Sequence, residues 1–537
     1  EMKKPEFLDV AIDALLEALR LLPQGGSEAS NKMMAASEAL AARFAVSSKK
    51  SDIDRAVDLA RLARKNLIPS SGVYSAALAL LAGLLRQRNG SRFKRKADLA
   101  QGIAYYREAV RGALAEVPMI ALESGIQWGA WAHERQQWEE TAEALLAAMD
   151  AHQKVLDSQR DRLSRELRLK RIQGLGALAA SSLLRSGQVG RAMVALERGR
   201  GLLAAQALDR RPEQVTFLSI TEKVSSHPLV YLEDVDGGYG LLVRDGAVEP
   251  LSFPHLREEM LNLWLEQNFD FRESDPIRWE RELGSFCRWL WEAVMGPLID
   301  ALHPANEVTL VAGGYLGMLP LHAAWKEDPS RPTGRFYAAD ALTIRYAPSV
   351  ASLRPEAPAA LGSILCVDEP SPVKAPPLPF SKAEVGAAAA GFAARKTLRR
   401  RLARRDAVLR GIPDCDVLHL SCHGRANLAE PLENGFLMSG GEFLTLRDLF
   451  GVDMSNVALA VLSACDTGQM GTGLPDHQSS GWHAGGGRQG RDQPSVAHRQ
   501  LQYSAVCRPV LPVPVPGEQF TAACPANHAK LAARHHQ

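Results

Sequence analysis

The sequence predicts an all-α helical-repeat region followed by an α/β domain, with an irregular C-terminal tail. Three observations carry this. Residues 1–212 are rich in Ala and Leu, with apolar residues recurring at i, i+3 and i+4. From Leu229 the period changes to short β-type runs bounded by Gly and Asp. After Asp476 no helical or strand period survives. The expected divisions are therefore 1–212, 213–476 and 477–537.

The helical region contains an internal repeat. Ser51–Arg61 resembles Ala97–Arg107, with further copies centred on Trp138–Ala142 and Gly187–Ala192. Each copy puts small residues where two helices would cross closely. Spacings of 40–50 residues exceed the 34 of a regular tetratricopeptide, so irregular, extended hairpins of that kind are expected. Stacked hairpins make a curved scaffold with a concave binding face. The alternative is a plain helical bundle. Glu197-Arg198-Gly199-Arg200 closes the region on a helix.

Three strands follow, at 229–233, 239–244 and 247–251, joined by Asp236-Gly237-Gly238 and Asp245-Gly246 as a meander. A Trp-rich helical stretch (Trp264, Trp279, Trp289, Trp291) supplies core or interface anchors. Glu307–Val311 is a buried strand that runs into Ala312-Gly313-Gly314. A glycine pair after a strand can cradle phosphate, but neither a P-loop lysine nor G-x-G-x-x-G follows, so a nucleotide-dependent regulator has little support. Strands at 344–346 and 363–367, a Pro-rich loop at 369–379, a helix at 381–395, a strand-like 396–398 and a helix at 400–411 lead to the most informative stretch.

That stretch is 414–468. Val417–Leu420 runs into Ser421-Cys422-His423-Gly424, and Val457–Leu462 runs into Ser463-Ala464-Cys465. Between them Leu444–Phe450 has helical spacing and a Thr cap. Strand, helix, strand is a crossover that leaves both strand C-termini on one sheet edge, where α/β sites form. His423 and Cys465 are thereby expected side by side. A thiol with a pKa of ~8.5 is mostly protonated at neutral pH, and an imidazole beside it supplies thiolate or shuttles its proton. The backbone N–H groups of Gly424 and Cys465 are candidate oxyanion donors. Cys422, adjacent to His423, points to the other strand face and reads as packing.

These motifs, taken together, resemble the CHAT-domain family of caspase-like and separase-like cysteine peptidases. They are an apolar strand ending His423-Gly424, then a strand ending Leu462-Ser463-Ala464-Cys465-Asp466-Thr467-Gly468. Ala312–Ala324 and the Glu197–Leu203 linker helix resemble family blocks in family order, so the likeness covers about 195–476. It implies a caspase-like α/β fold and a cysteine endopeptidase with His423 and Cys465 as its dyad. It further implies a protein substrate, a protein activator acting through the repeats, and no cofactor. His322 is expected to hold a turn near the sheet edge. The rival is a non-catalytic interaction protein that binds partners through its repeats.

Composition bounds these readings. Net charge is +2, and no arginine stripe interleaved with aromatics is present, which argues against a nucleic-acid binder. The basic run Leu398–Arg405 reads as a solvated helix face. Seven Cys without C-x-x-C indicate reduced thiols in a cytoplasmic setting, and no zinc-ligand spacing is visible. No 18-residue apolar run or signal-peptide pattern occurs. The chain begins at Glu1, which suggests a fragment whose N-terminal repeats extend further.

Residues 477–537 hold six of the fourteen His and only two acidic residues. Family members continue here with a helix, a buried strand beside the nucleophile strand, and a final helix. Out-of-frame reading of GC-rich coding DNA gives such a His, Arg, Pro and Gly bias, so a shifted frame and damaged activity are expected. The alternative is a native basic tail.

Overall fold

The computed structural model describes residues 5–23, 25–158, 174–207, 215–224, 227–257, 259–261, 263–264, 275–353, 361–425 and 433–464. They fall into two compact units, one chiefly of residues up to 356 and the other chiefly of residues 357–467. The tail after Asp476, with the shifted-frame reading attached to it, lies outside the described residues.

The first unit opens with helices in antiparallel succession: α1 (Pro5–Leu21), α2 (Ser27–Ser47), α3 (Lys50–Lys65), α4 (Gly72–Asn89), α5 (Asp98–Ala113), α6 (Pro118–Glu134), α7 (Trp138–Ser158), α8 (Leu175–Arg185) and α9 (Val189–Ala207). The four repeat copies fall on α3, α5, α7 and α9, the second helix of each successive hairpin. Their inward faces follow the apolar spacing. Ile53, Ala56, Val57 and Ala60 are fully buried on α3, and Tyr106, Ala109, Val110 and Ala113 are buried on α5. Burying one Ile or Val side chain contributes about 1.5–3 kcal/mol, so such a stripe commits each helix to its neighbours. Within the second copy Gly102 marks a crossing, since a Cβ there would stand 3.0 Å from the Trp131 ring and 3.5 Å from the Leu85 Cβ, and outside the copies Gly176 and Gly199 mark another. A Cβ on Gly176 would stand 3.1 Å from the Cα of Gly199, so α8 and α9 touch through their backbones.

The helices continue into a five-stranded sheet of order β3-β2-β1-β4-β7, from β1 (Leu229–Glu233), β2 (Tyr239–Arg244), β3 (Ala247–Ser252), β4 (Glu307–Ala312) and β7 (Thr343–Tyr346). The three-strand meander is antiparallel, and β1, β4 and β7 are parallel. Asp245 and Gly246, at φ 51° and 75°, make the β2–β3 turn, the left-handed pair that a two-residue hairpin favours. One apolar core runs from Trp128, Leu145 and Leu196 on the helices to Tyr231, Leu241 and Val311 on the sheet.

Polar clasps reinforce that core. Glu197 on α9 accepts bonds from Tyr231 Oη (2.9 Å) and from the N–H groups of Val350 and Ala351 (3.1 and 3.0 Å). Arg200, one turn on, pairs with Glu233 at 2.6 Å and donates to the carbonyls of Val311, Ala312 and Pro348. The Glu-x-x-Arg of the linker helix is thus a docking device, and Arg200 answers a buried carboxylate. Among the described residues this unit also holds two short antiparallel strands, β5 (Trp325–Glu327) and β6 (Arg335–Tyr337), and helices α10 (Phe217–Lys223), α11 (Pro276–Leu290), α12 (Gly296–Leu302) and α13 (Ala338–Ala341). The Trp residues of the helical stretch are half-buried: Trp264 and Trp289 stack on Phe286, with Trp264 at 4.0 Å between centroids, Trp279 tilts against Trp264, and Trp291 meets Phe336 edge-on.

The second unit is built on a parallel sheet of order β14-β10-β8-β9, from β8 (Ser363–Asp368), β9 (Ala394–Arg399), β10 (Val417–Ser421) and β14 (Leu459–Ser463). Helices α14 (Ser381–Ala390) and α15 (Arg405–Gly411) connect its strands. The basic run is not a helix face. Arg399 ends β9, Arg400–Leu402 is a 3-10 turn with Arg400 at φ 47°, and α15 starts only at Arg405. Between β10 and β14 the chain forms β11 (Gly424–Arg425), β12 (Gly435–Leu437), β13 (Phe443–Thr445) and the short helix α16 (Leu446–Phe450). Thr445 is the N-cap of that helix, as its position in the sequence predicts, with Asp448 completing a capping box. The small β11–β13 sheet was not expected.

Candidate active site

Strand β10 is buried along its whole length and sorts its residues by alternation. Leu418, Leu420 and Cys422 enter a core with Leu365, Val367, Ile412 and Phe436. Cys422 is 2% exposed, and burial, followed by the nearby Glu384 charge, pushes its thiol up to about 12. It is a packing residue, as the alternation argument expects. The opposite face carries His419 and Ser421.

His423 follows two residues past Ser421 and is half-buried. Its Nε2 lies 2.8 Å from the carbonyl oxygen of Pro376. A carbonyl can only accept, so Nε2 carries the proton and Nδ1 is the basic nitrogen. The Pro-rich loop is itself pinned: Leu378 N–H donates to Glu369 (3.1 Å), Gly440 N–H to the Pro372 carbonyl (3.0 Å), and Ser439 Oγ to the Ser371 carbonyl (2.8 Å). On the other side the His423 carbonyl accepts from Leu437 N–H at 2.8 Å, and Gly424 stands opposite Phe436 in the β11–β12 ladder. The histidine is therefore held by backbone on both flanks.

Cys465 lies outside the described residues. The strand that leads to it does not. β14 runs parallel beside β10 with Ser463 opposite Ser421, so the strand carrying each member of the expected dyad stops two residues short of it, in register. The topology inferred from the sequence, two parallel strand ends on one edge, is what the structure shows for the strands. The other described cysteines, Cys287, Cys366 and Cys415, are buried, and burial raises each thiol, to about 11 for Cys287 and Cys366.

Glu384, in the first turn of α14, was not singled out in the sequence. Its Oε2 accepts from Ser421 Oγ at 2.9 Å, and Oε1 lies 3.1 Å from His419 Nε2. Burial pushes this carboxyl up, but its polar surroundings, the bonds from His419 and Ser421 among them, outweigh it and hold it below the ordinary glutamate value. No sequence signal distinguishes it from a solvated helix acid.

The glycine pair Gly313-Gly314 has a different explanation from phosphate binding. A Cβ at Gly313 would lie 2.2 Å from a Glu233 carboxylate oxygen, and one at Gly314 would lie 2.1 Å from Asp234 Oδ1. Tyr315 N–H donates to Asp234 at 2.7 Å. Two carboxylates already fill the space an anion would need. His322 bonds through its N–H and Nδ1 to Tyr346 Oη, 3.1 Å each, which matches the turn-holding role expected of it. Among the described residues no group of three His, Cys, Asp or Glu is placed to hold a metal ion, and no helix is long and apolar enough to cross a membrane.

A parallel α/β sheet whose inner strand delivers a carbonyl-oriented histidine, together with tetratricopeptide-like helices, defines a caspase-like domain with a helical-repeat region. The family comparison gives that domain its name: the CHAT domain model matches residues 284–485, and the chain carries a CHAT domain. The match starts later than the likeness read from residue 195 onward and ends a little past Asp476. No curated protein matches the chain.

Proposed function

We propose that the protein is a cysteine endopeptidase that cleaves a protein substrate and is regulated by a partner through its helical repeats. The observation that carries this reading is the His423–Pro376 bond at the edge where β14 ends in register with β10. It directs Nδ1, rather than Nε2, to the proton traffic of a neighbouring thiol.

In this mechanism Cys465 Sγ, as thiolate, attacks the scissile carbonyl carbon. The N–H groups of Gly424 and Cys465 stabilise the oxyanion. The C–N bond breaks as His423 protonates the leaving amine, which leaves a thioester. His423 then takes a proton from water, whose oxygen attacks the thioester and releases the acid and the thiol. No cofactor enters any step. A carbonyl-anchored imidazole is pre-oriented for both transfers, which is the part of the arrangement that catalysis needs and packing does not.

The test is Cys465→Ala in the full chain. Cleavage of a peptide library is expected to fall by about 10³-fold or more, as for removal of a covalent nucleophile, with the melting temperature unchanged. Cleavage by the variant at the parental rate would sink the reading.

A second reading, a non-catalytic interaction protein, is supported by a groove of about 540 Å³ on the repeat helices, lined by Glu139, Glu143, Asp150, Leu146, Leu183 and Arg191. A peptidyl acyloxymethyl ketone separates the two. Preferential labelling of Cys465 supports the peptidase; no labelling of it in a folded chain supports the scaffold.

A further inference from the structure

We propose that the outer edge of β9 is a docking strand for an acidic, extended segment of another protein. The inference stands apart from the peptidase reading and does not depend on it.

Three features of the second unit converge on this edge. The first is the backbone. β9 pairs over all six of its residues with β8 and, among the described residues, ends the sheet. Every residue from Ala394 to Arg399 except Leu398 is exposed. An edge strand presents a row of backbone N–H and C=O groups that another strand can take up. β3, an edge of the first sheet, is blunted by Pro250, whereas β9 contains neither Pro nor Gly.

The second feature is charge. Seven cations and no acid stand between Arg395 and Arg405. Four are answered within the fold: Arg399 by Asp368, Arg400 by Glu369, Arg404 by Asp406 and Arg405 by Asp448. Arg395, Lys396 and Arg401 are exposed and, among the described residues, have no acidic partner. Cations on an edge keep like strands from adding to it. A second copy of this chain would bring one basic edge against another, so the edge repels its own kind and admits a strand of opposite charge.

The third is a pair of apolar side chains at the end of the strand. Phe380 is 79% and Leu402 66% exposed, and neither lies on a frayed segment. Phe380 precedes Ser381, whose hydroxyl donates to Asp368 at 2.7 Å, and its own carbonyl accepts from Glu384 N–H at 3.0 Å. Leu402 sits in a turn closed by Ala403 N–H on the Arg400 carbonyl (3.1 Å), and the Ala403 carbonyl accepts from Ser439 N–H (2.9 Å). Both segments meet at Asp368, which takes Arg399 as well as Ser381. Large apolar side chains held in water beside cations suit the side chains of a protein segment better than a phosphate backbone. Asp368 stands opposite Arg399 on one flank and Ser421 on the other, so a segment bound along β9 reaches the sheet edge from which His423 emerges.

The test uses the full chain and fluorescence anisotropy with a labelled peptide of alternating Glu and Val. Saturable binding that weakens as salt rises is expected, and the same peptide with Lys in place of Glu should not bind. The Glu peptide N-methylated throughout keeps its charge but cannot donate to a strand, so it should not bind either. Arg395→Glu combined with Lys396→Glu should weaken binding at least about tenfold, because two attractions become two repulsions. Both side chains are exposed, so the melting temperature should hold. Should it fall, Arg401→Glu decides, with a loss of about threefold or more expected for reversal of one exposed charge. No binding of the Glu peptide, undiminished binding of its N-methylated form, or parental affinity in the deciding variant overturns the inference. So does tighter binding of an oligothymidylate than of the Glu peptide at equal salt, which would make the edge a nucleic-acid surface.

Discussion

The C-terminal edges of the two sheets occupy the same topological place and are finished in opposite ways. In the first sheet, β1 ends in Glu233, followed by Asp234, and β4 runs into Gly313-Gly314. Arg200, Tyr315 N–H and the glycine backbones fill the space between. Every charge there has a buried partner, and the edge anchors a helix. In the second sheet, β10 leads to a half-buried His423 with one ring nitrogen fixed on a carbonyl and the other available as a base. The position at the end of a parallel strand does not itself make a site. What matters is whether the polar groups there are consumed by the fold or left oriented and accessible.

The largest effect should come from undoing the closed edge. Arg200→Ala leaves Glu233, 4% exposed, without its cation, and removing one partner of a buried ion pair costs about 3–5 kcal/mol. The sign of its pH dependence follows from Glu233. Burial raises its carboxyl, and the Arg200 charge and hydrogen bond pull it back only in part, so it sits above the ordinary value. A raised carboxyl binds protons more tightly when folded, so stability falls as pH rises through the window between the ordinary and the raised value. Without Arg200 that window extends upward. Urea unfolding of Arg200→Ala should therefore show a larger loss at alkaline than at mildly acidic pH. Equal losses at both would mean that Glu233 is not the charge being answered.

A second contrast, inside the open edge, is that between β10 and β14. Leu420 is fully buried in the core and Leu462 is 37% exposed. Leu420→Ala should cost about 2–5 kcal/mol, as buried Leu→Ala changes do, and Leu462→Ala well under half of that, about 1 kcal/mol or less. Equal costs by urea denaturation would show that β14 is covered in solution by part of the chain beyond Ala464. The two outcomes also bear on the tail. A covered β14 supports a tail that packs, and an uncovered one supports the shifted-frame reading, which sequencing of the DNA across codons 470–540 tests directly.

Much of this was legible in the residues. Continuous apolar runs gave the central strands to within two residues, Asp245-Gly246 gave a hairpin turn, and the repeat copies located the second helix of each pair. Packing of Cys422 followed from strand alternation alone. What escaped was carried by tertiary context. β12 and β13 are three residues each, too short to show a period. Arg399–Leu402 looks helical by composition, yet the chain must turn there to leave the end of β9. Glu384 is one acid among many until α14 lays it against His419 and Ser421 of β10. The group that orients His423 is a main-chain carbonyl 47 residues upstream, and no side-chain pattern encodes a carbonyl.

The smallest effect expected lies in the connection between the two site strands. Arg405, at the start of α15, pairs with Asp448, which also accepts from the N–H of Thr445 in the α16 capping box. The Arg405 hydrogen bond is the main reason the Asp448 carboxyl is held down at about 2. A depressed carboxyl contributes stability that is present above its unfolded value, ~3.9, and is lost as pH falls toward the folded value. Arg405 is 42% exposed, so solvent screening limits the pair to about 1 kcal/mol or less. Arg405→Ala should lower the melting temperature slightly at neutral pH, and the gap to the parent should narrow as pH drops below about 4. A gap that stays constant down to about pH 3 would assign the loss to packing of the Arg405 stem instead. In that case α16, and with it the approach to β14, is held by its Thr445 cap rather than by the ion pair.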